Sequence, residues 1–394
     1  MVDEGTRPVV QKEKRDLYSR LSRVTSSGRF IPEVDGLRFL AISSVLLYHT
    51  YTFYSVKSGI TGSVHTIWSS IWMVLCKNGF VGVYLFFAIS GFILGLPFAQ
   101  CYIEKQSVIS LKSYFLRRLT RLEPPYVLSM LLFFALLVGV GKYTPGILFP
   151  HLLSSIFYLH NLIYQAPSII NGVAWSLEIE VQFYLLAPLF GLVFRIPSFF
   201  ERSVIWIVSI LFFSCLSFFY DPEIQNFKTL IGYFQYFLAG LFLADLHIFN
   251  FIFPNIKKIN FFIFIFGFLS LLFLLFADIN SVIWIRLMYP FVILVFYYLV
   301  LKTTFWKNIF SIKPLTVVGG MCYSIYLLHY IIISMVGNIT IHYLWEDYFW
   351  LNYWIQIIIY LVFILTISTF FFLMIEKPTM NKDWYKEWIP KKLN

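Results

Sequence analysis

The sequence predicts an all-α, polytopic membrane protein, a single bundle of about ten transmembrane helices with both termini in the cytoplasm. Three observations carry that prediction. Apolar residues fill 59% of the 394 positions and charged residues only 13%, a composition suited to one membrane domain rather than two or three soluble ones. Ten apolar stretches each approach the 17–25 residues or so needed to cross a hydrocarbon core ~30 Å thick. Of the 30 Lys and Arg residues, 24 fall in alternate breaks between those stretches, counting the tail 1–36 as the first, and only 4 fall in the others. Such alternation is the positive-inside pattern, and it puts both ends of the chain on the cytoplasmic side.

The elements follow in order. Residues 1–36 are polar and mixed in charge, with no short apolar core or small-residue cleavage site, and read as a cytoplasmic tail rather than a removed signal peptide. The spans are 37–55, 79–99, 125–141, 177–194, 203–219, 229–247, 260–277, 281–300, 315–338 and 353–375. Pro378, in Glu376-Lys377-Pro378, is expected to end the last one, leaving a basic cytoplasmic tail at 379–394. The transmembrane domain is therefore expected to cover 37–378, and no large appended soluble domain is expected.

Two further stretches, 63–76 and 146–164, threaten this count. If 146–164 crossed, the 12 basic residues of the later basic breaks would lie outside. Both are therefore read as interfacial or re-entrant helices on the outer face, where Trp, Tyr and His suit the interface.

The net charge of +10 would suggest nucleic acid in a soluble protein. Here it lies on one membrane face and suits topology and anionic lipid, so membrane lipid and not nucleic acid is the expected partner. Cys76, Cys101, Cys215 and Cys322 are scattered without CxxC or Cys/His ligand spacing, which implies neither a disulfide framework nor a metal site. No GxxxxGK[ST] motif is present, which disfavours an ATP-driven pump.

Ionisable groups within spans cost roughly 2.5–3.5 kcal/mol each on insertion scales, so they point to protein-lined cavities. These groups are Arg38, His49, Glu178, Glu180, Asp245, His247, Arg286 and His329. Asp245 and His247 lie near a span end and can snorkel to water. Arg38 and His49 are eleven residues apart on the first helix, on one face and ~16 Å apart in depth. They either line a cavity at its inner mouth and beyond its middle, or bond lipid phosphate and a neighbouring helix.

Glu178 and Glu180 open the fourth span about 200° apart, so only one of them can face a given cavity. A carboxylate bonded to His49 would fix the imidazole tautomer and raise its basicity, whereas an acid in the first turn can simply complement the helix dipole. The dipole role is favoured for Glu178. Arg117, Arg118 and Arg121 precede the third span in SYFLRRLTRLEPPY. Arg118 and Arg121 project together, as a phosphate site or as a topological anchor. Gly91-x-x-x-Gly95 suits close helix packing. Ser90 has no base or acid spaced with it and is a poor candidate nucleophile. Arg286 is expected to pair with Asp278.

In the stretches IPEVDGLRFLAISSVLLYH, GVYLFFAISGF, YFLRRLTRLEPPY, WSLEIEVQFYLLAP, GGMCYSIYLLH and IEKP, the chain resembles the acyltransferase-3 family of integral membrane acyltransferases. The stretches occur in family order from residue 31 to 378. The resemblance implies a bundle of about ten helices and transfer of an acyl group, most often acetyl, from cytoplasmic acyl-CoA to a hydroxyl of an extracytoplasmic glycan or glycolipid. Lipopolysaccharide O-antigen, peptidoglycan and exopolysaccharide are acceptors of that kind, and a bacterial inner membrane is the implied location. The resemblance also implies no permanently held cofactor, with acyl-CoA, and acetyl-CoA first, as co-substrate.

Carried over by position, His49 is the general base and Glu180 the carboxylate that orients it. Arg38, Arg118 and Arg121 hold acyl-CoA, and Tyr326 and His329 contact the acceptor or the oxyanion. Tyr84 stands where relatives commonly carry Asp, so an acid's role there is not supported. Two other functional classes compete. A transporter or flippase of a lipid-linked saccharide would use the same cavity with the arginines on a pyrophosphate, and a scaffold would use the buried charges only to fix helix register.

Overall fold

The computed structural model describes residues 18, 21–23, 30–59, 66–106, 109–219, 228–249, 257–343, 345, 348–381 and 384. Most of the two expected tails, 1–36 and 379–394, lies outside them. The described residues form helices and connections with no strand among them. Eight helical stretches are long and apolar enough to cross a membrane. Two further helices, Pro32–Ser58 and Lys257–Phe276, cover the expected first and seventh spans. The chain is a multi-pass membrane protein.

Helix α1 (Pro32–Ser58) starts with Pro32 pre-set for the first turn, carries Glu33 and Asp35 against the positive end of the dipole, and ends with Lys57. Gly59 closes it in the left-handed region at φ 66°. Helix α2 (Ile67–Asn78) opens on a reciprocal Thr66–Ser69 capping box and passes through one 3₁₀ turn into α3 (Gly82–Tyr102).

Helix α4 (Leu111–Gly139) begins well before the expected third span, so Arg117, Arg118 and Arg121 sit on the helix rather than ahead of it. It runs through Pro124 and Pro125, and the carbonyls near the break find partners from elsewhere. Pro124 has no N–H for the carbonyl of Thr120, and the Trp384 indole N–H donates there instead at 3.1 Å. Tyr323 O–H donates to the Leu122 carbonyl at 2.9 Å.

The stretch 146–164 does not form one long helix. It splits into α5 (Pro145–Ile156) and α6 (His160–Tyr164), with Tyr158 at φ 57° between them. Twelve residues rise only ~18 Å, short of the hydrocarbon thickness. The later helices are α7 (Trp175–Phe190), α8 (Phe199–Phe219), α9 (Leu230–Phe249), α10 (Lys257–Phe276) and α11 (Ile283–Lys302). After them come α12 (Thr304–Phe310), α13 (Lys313–Gly320), α14 (Cys322–Thr340) and α15 (Phe349–Phe371). The expected ninth span, 315–338, is thus broken at Met321.

Helix α1 touches α2, α3, α13 and α14, which gives one of its faces a protein environment along much of its length. A close crossing packs α3 on α9. A Cβ on Gly91 would lie 2.1 Å from the Phe237 carbonyl oxygen, and one on Gly240 would lie 2.1 Å from that of Ala88. Only glycine permits backbones to approach this closely.

The snorkelling expected of Asp245 does not occur. Its carboxylate is fully buried and takes a two-pronged ion pair from Arg202, at 2.8 and 2.9 Å, with the Trp206 indole N–H at 3.1 Å. Arg202 also donates to the carbonyls of Ile196 and Pro197, so the charges are bonded from several sides. His247 turns its ring edge-on to Phe92 and lines an internal cavity. Replacing Asp245 with Ala strands a buried guanidinium and is expected to cost about 3–5 kcal/mol. A lowered denaturation midpoint of the purified protein in detergent checks this.

Candidate active site

Three cavities follow one another through the bundle, and each shares wall residues with the next. The first, about 850 Å³, is lined by Arg23, Asp35, Arg38, Arg117, Arg118, Arg121 and His247 among others. The second, about 120 Å³, shares Arg38, Ile93, Arg118 and Arg121 with the first and adds Ser90, Glu180 and Tyr184. The third, about 240 Å³, shares Val83, Ser176 and Tyr326 with the second and contains His49. Arg38 and His49 therefore reach the first and last chambers from one helix, as their spacing predicts.

Asp35 organises the arginine end. Its Oδ1 accepts from Arg38 Nη1 at 2.5 Å and from Arg23 Nη1 at 3.2 Å, while the carboxyl is almost wholly buried. Arg118 lies over the rings of Tyr114 and Tyr184, 5.8 and 6.0 Å from their centroids. Tyr114 is held by a bond from its hydroxyl to the Tyr184 carbonyl at 3.2 Å. Arg118 and Arg121 share one side of α4 because they are three residues apart.

Glu180 does not reach His49. Its Oε1 accepts from Ser90 Oγ and from Tyr184 O–H, both at 2.5 Å, in the middle chamber. The reason is depth: α7 starts at Trp175, so Trp175 and Ser176 occupy the level of His49 and Glu180 lies about a turn further along. Ser90, which lacked a partner by sequence spacing, gains one through the fold. Glu178 points elsewhere and is almost completely buried, accepting the Asn161 amide N–H at 2.8 Å at the start of α6. Its carboxylate thus caps a neighbouring short helix.

His49 is surrounded by rings. Its centroid lies 5.1 Å from Tyr48, 5.2 Å from His329 and 5.3 Å from Tyr330. His329 is fully buried, and its Nδ1 faces the carbonyl oxygens of Tyr326 at 2.8 Å and Ile325 at 3.1 Å. Two carbonyls can only accept, so Nδ1 carries the proton and Nε2 presents a lone pair. That Nε2 is buried without a partner. Tyr326 bonds Ser176 Oγ at 3.0 Å and donates to the Val173 carbonyl, which fixes it at the junction of the last two chambers.

The third chamber is lined by Tyr84, Trp175, Tyr233 and Tyr236, with Lys228 and Arg286. Tyr84 stacks flat on Tyr236 at 4.5 Å. Arg286 does not pair with Asp278; it donates to Asn280 Oδ1 at 3.0 Å, while Asp278 accepts the Asn280 amide. Asp35, Arg23, Trp175, Tyr233 and Tyr236 were absent from the sequence candidates, and Ser90 was weighed there only as a nucleophile. The Asp35-x-x-Arg38 spacing was a usable signal for the first of them.

The family profile described as an acyltransferase domain matches residues 31–373. The chain belongs to the acyltransferase-3 family. Among relatives, it is 28% identical over 341 residues to the peptidoglycan O-acetyltransferase OatA of Listeria monocytogenes, covering 78% of this chain and 50% of that one. It is likewise 28% identical over 356 residues to the O-acetyltransferase OatA of Staphylococcus aureus, covering 82% and 53%. The chain thus spans about half the length of the relatives it matches. No solved structure matches it. Every residue singled out in the three chambers except Arg23 falls within this acyltransferase domain.

The geometry makes Glu180 a partner of Ser90 and Tyr184 rather than of His49. Double-mutant cycles of Glu180→Gln with Ser90→Ala and with Tyr184→Phe, read as unfolding midpoints, are expected to depart from additivity by about 0.5 kcal/mol or more. The cycle of Glu180→Gln with His49→Ala is expected to be additive.

Proposed function

We propose that this chain moves an acyl group, acetyl by preference, from cytoplasmic acyl-CoA to a hydroxyl of an extracytoplasmic envelope glycan, in a bacterial inner membrane. The observation that carries the reading is the succession of chambers joining a cluster of guanidinium groups to a pair of imidazoles. An arginine-rich chamber suits the phosphates of the donor, and the positive-inside pattern puts that end in the cytoplasm. The ~16 Å along α1 from Arg38 to His49 is a length that a pantetheine arm can cover. Such an arm would run through the narrow middle chamber, where the Glu180 carboxylate can accept its amide N–H groups.

At the far end, the acceptor sugar would enter beside Tyr84, Trp175, Tyr233 and Tyr236, whose ring faces suit stacking on pyranose rings. His49 acts as general base and takes the proton of the acceptor hydroxyl as its oxygen attacks the thioester carbonyl. The tetrahedral intermediate then breaks the carbon–sulfur bond. The acetyl group stays on the glycan oxygen, and the CoA thiolate leaves and recovers a proton from the imidazolium.

We assign the orienting role first expected of Glu180 to His329, whose ring lies 5.2 Å from that of His49 with no hydrogen bond between them at rest. With Nδ1–H held by two carbonyls, its Nε2 can only accept, so it can hold one N–H of His49 and leave the other ring nitrogen free as a base. The tyrosine rings packed against His49 help keep competing water away from the thioester.

His49→Ala is expected to lower acceptor-dependent release of CoA thiol by about 10²-fold or more. His329→Ala is expected to lower kcat similarly while leaving the KM for acetyl-CoA near that of the wild type. Thiol release by the purified protein, with mass detection of the acetylated glycan, measures both. Wild-type rates in His49→Ala contradict the scheme, and a protein that binds the glycan but releases no thiol is a transporter instead.

A further inference from the structure

We infer that Arg23 is a further phosphate-binding residue of the arginine chamber, supplied by the segment that precedes the first helix. It lies outside the acyltransferase domain match, which begins at residue 31, so the family assignment does not include it. The inference rests on the donor being acyl-CoA, as proposed above.

Position gives the first argument. Arg23 Nη1 is 3.2 Å from the same Asp35 oxygen that receives Arg38, so one buried carboxylate holds two guanidinium groups side by side at the chamber wall. The Arg23 stem passes about 4 Å from the position of a Cβ on Gly320 at the end of α13. Its side chain is only 11% exposed. This is an arm packed into the protein, not one hanging in solvent.

Unmet bonding capacity gives the second. Among the described residues, Arg23 Nε is buried with no acceptor, and so is Arg118 Nε. A guanidinium N–H left without an acceptor is costly to bury, more so than a neutral one. Asp35 Oδ2 is also without a donor, and can take a hydroxyl or amine hydrogen from the same guest.

Charge and size give the third. Among the described lining residues, Arg23, Arg38, Arg117, Arg118 and Arg121 face one carboxylate, Asp35. Glu180 lies close to Arg118 and Arg121, and Glu376 close to Arg121 and Arg23, so five cations meet three carboxylates, and a guest bearing several negative charges offsets the excess. A chamber of about 850 Å³ falls in the range of nucleotide-sized ligand sites. Planar guanidinium forks match phosphoryl oxygens two at a time. The chemistry is therefore that of an organic polyphosphate, the part of acyl-CoA that stays outside the bilayer core. A phospholipid headgroup offers the same phosphoryl oxygens, so the test must separate the two sources.

The experiment uses the purified full chain with two donors, acetyl-CoA and acetyl-pantetheine, the second of which lacks the nucleotide. Arg23→Gln is expected to raise the KM for acetyl-CoA about tenfold, the order of one charge-assisted hydrogen bond. Its kcat, and its KM for acetyl-pantetheine, are expected to match the wild type. Binding of adenosine 3′,5′-bisphosphate in detergent is expected to weaken by the same factor, with Arg23→Lys in between because it keeps the charge but not the fork.

Equal losses with both donors would make Arg23 a structural strap and overturn the inference. So would unchanged constants with both donors, or a loss confined to binding of anionic phospholipid vesicles. A wild-type protein that neither binds the bisphosphate nor uses acetyl-CoA overturns the donor reading itself, and with it this inference. A wild type that does both, beside an Arg23→Gln variant that does so equally well, overturns the inference alone.

Discussion

A charge cannot rest in hydrocarbon without a partner, and this bundle is arranged around that constraint. Arg38 enters on α1 and is met at once by Asp35, three residues earlier on the same helix. The pair still needs polar surroundings, which come from α4 through Arg118 and Arg121 and from the wall of a large chamber. Because α1 carries His49 on the same face three turns later, the polar lining that begins at Arg38 leads on through the middle chamber to the imidazole. The path between the two ends follows from one helix face that cannot be given to lipid.

The rest of the architecture keeps that face covered. The glycine contact between α3 and α9 brings the Ser90 side of α3 tightly into the bundle. The buried Arg202–Asp245 pair fixes α8 to α9 on the far side of that contact. The double proline of α4 could have ended the helix below its arginines. Bonds from Trp384 and Tyr323 to nearby carbonyls help the helix run on, so Arg118 and Arg121 sit on a rigid element. Each of these devices spends local stability rules on placing polar groups in the interior.

Much of this was legible in the sequence because membrane insertion writes strong signals. Span positions followed from apolar length, and the shared face of Arg38 and His49 followed from the helical repeat. The same repeat brought Arg118 and Arg121 together. What escaped was whatever depends on contacts between distant segments. Nothing in the chain around Ser90 announces Glu180, ninety residues on, and the depth of Glu180 hangs on where α7 begins. Asp245 was read as a snorkelling residue because it lies near a span end, and only the arrival of Arg202 from another helix shows otherwise. Arg23 stood among the tail's charges with no periodicity to mark it, and Arg286 was misassigned because a turn put Asn280 nearer than Asp278.

The central claim is that donor and acceptor meet through the bundle from opposite sides. Vesicles reconstituted with the chain in one known orientation test it most directly, with acetyl-CoA supplied on one side and the glycan acceptor on one side, in all four combinations. The account requires acetylated glycan only when acetyl-CoA is on the arginine side and the glycan on the His49 side. Equal product with both substrates on the same side, or product only when acetyl-CoA is on the His49 side, would contradict it.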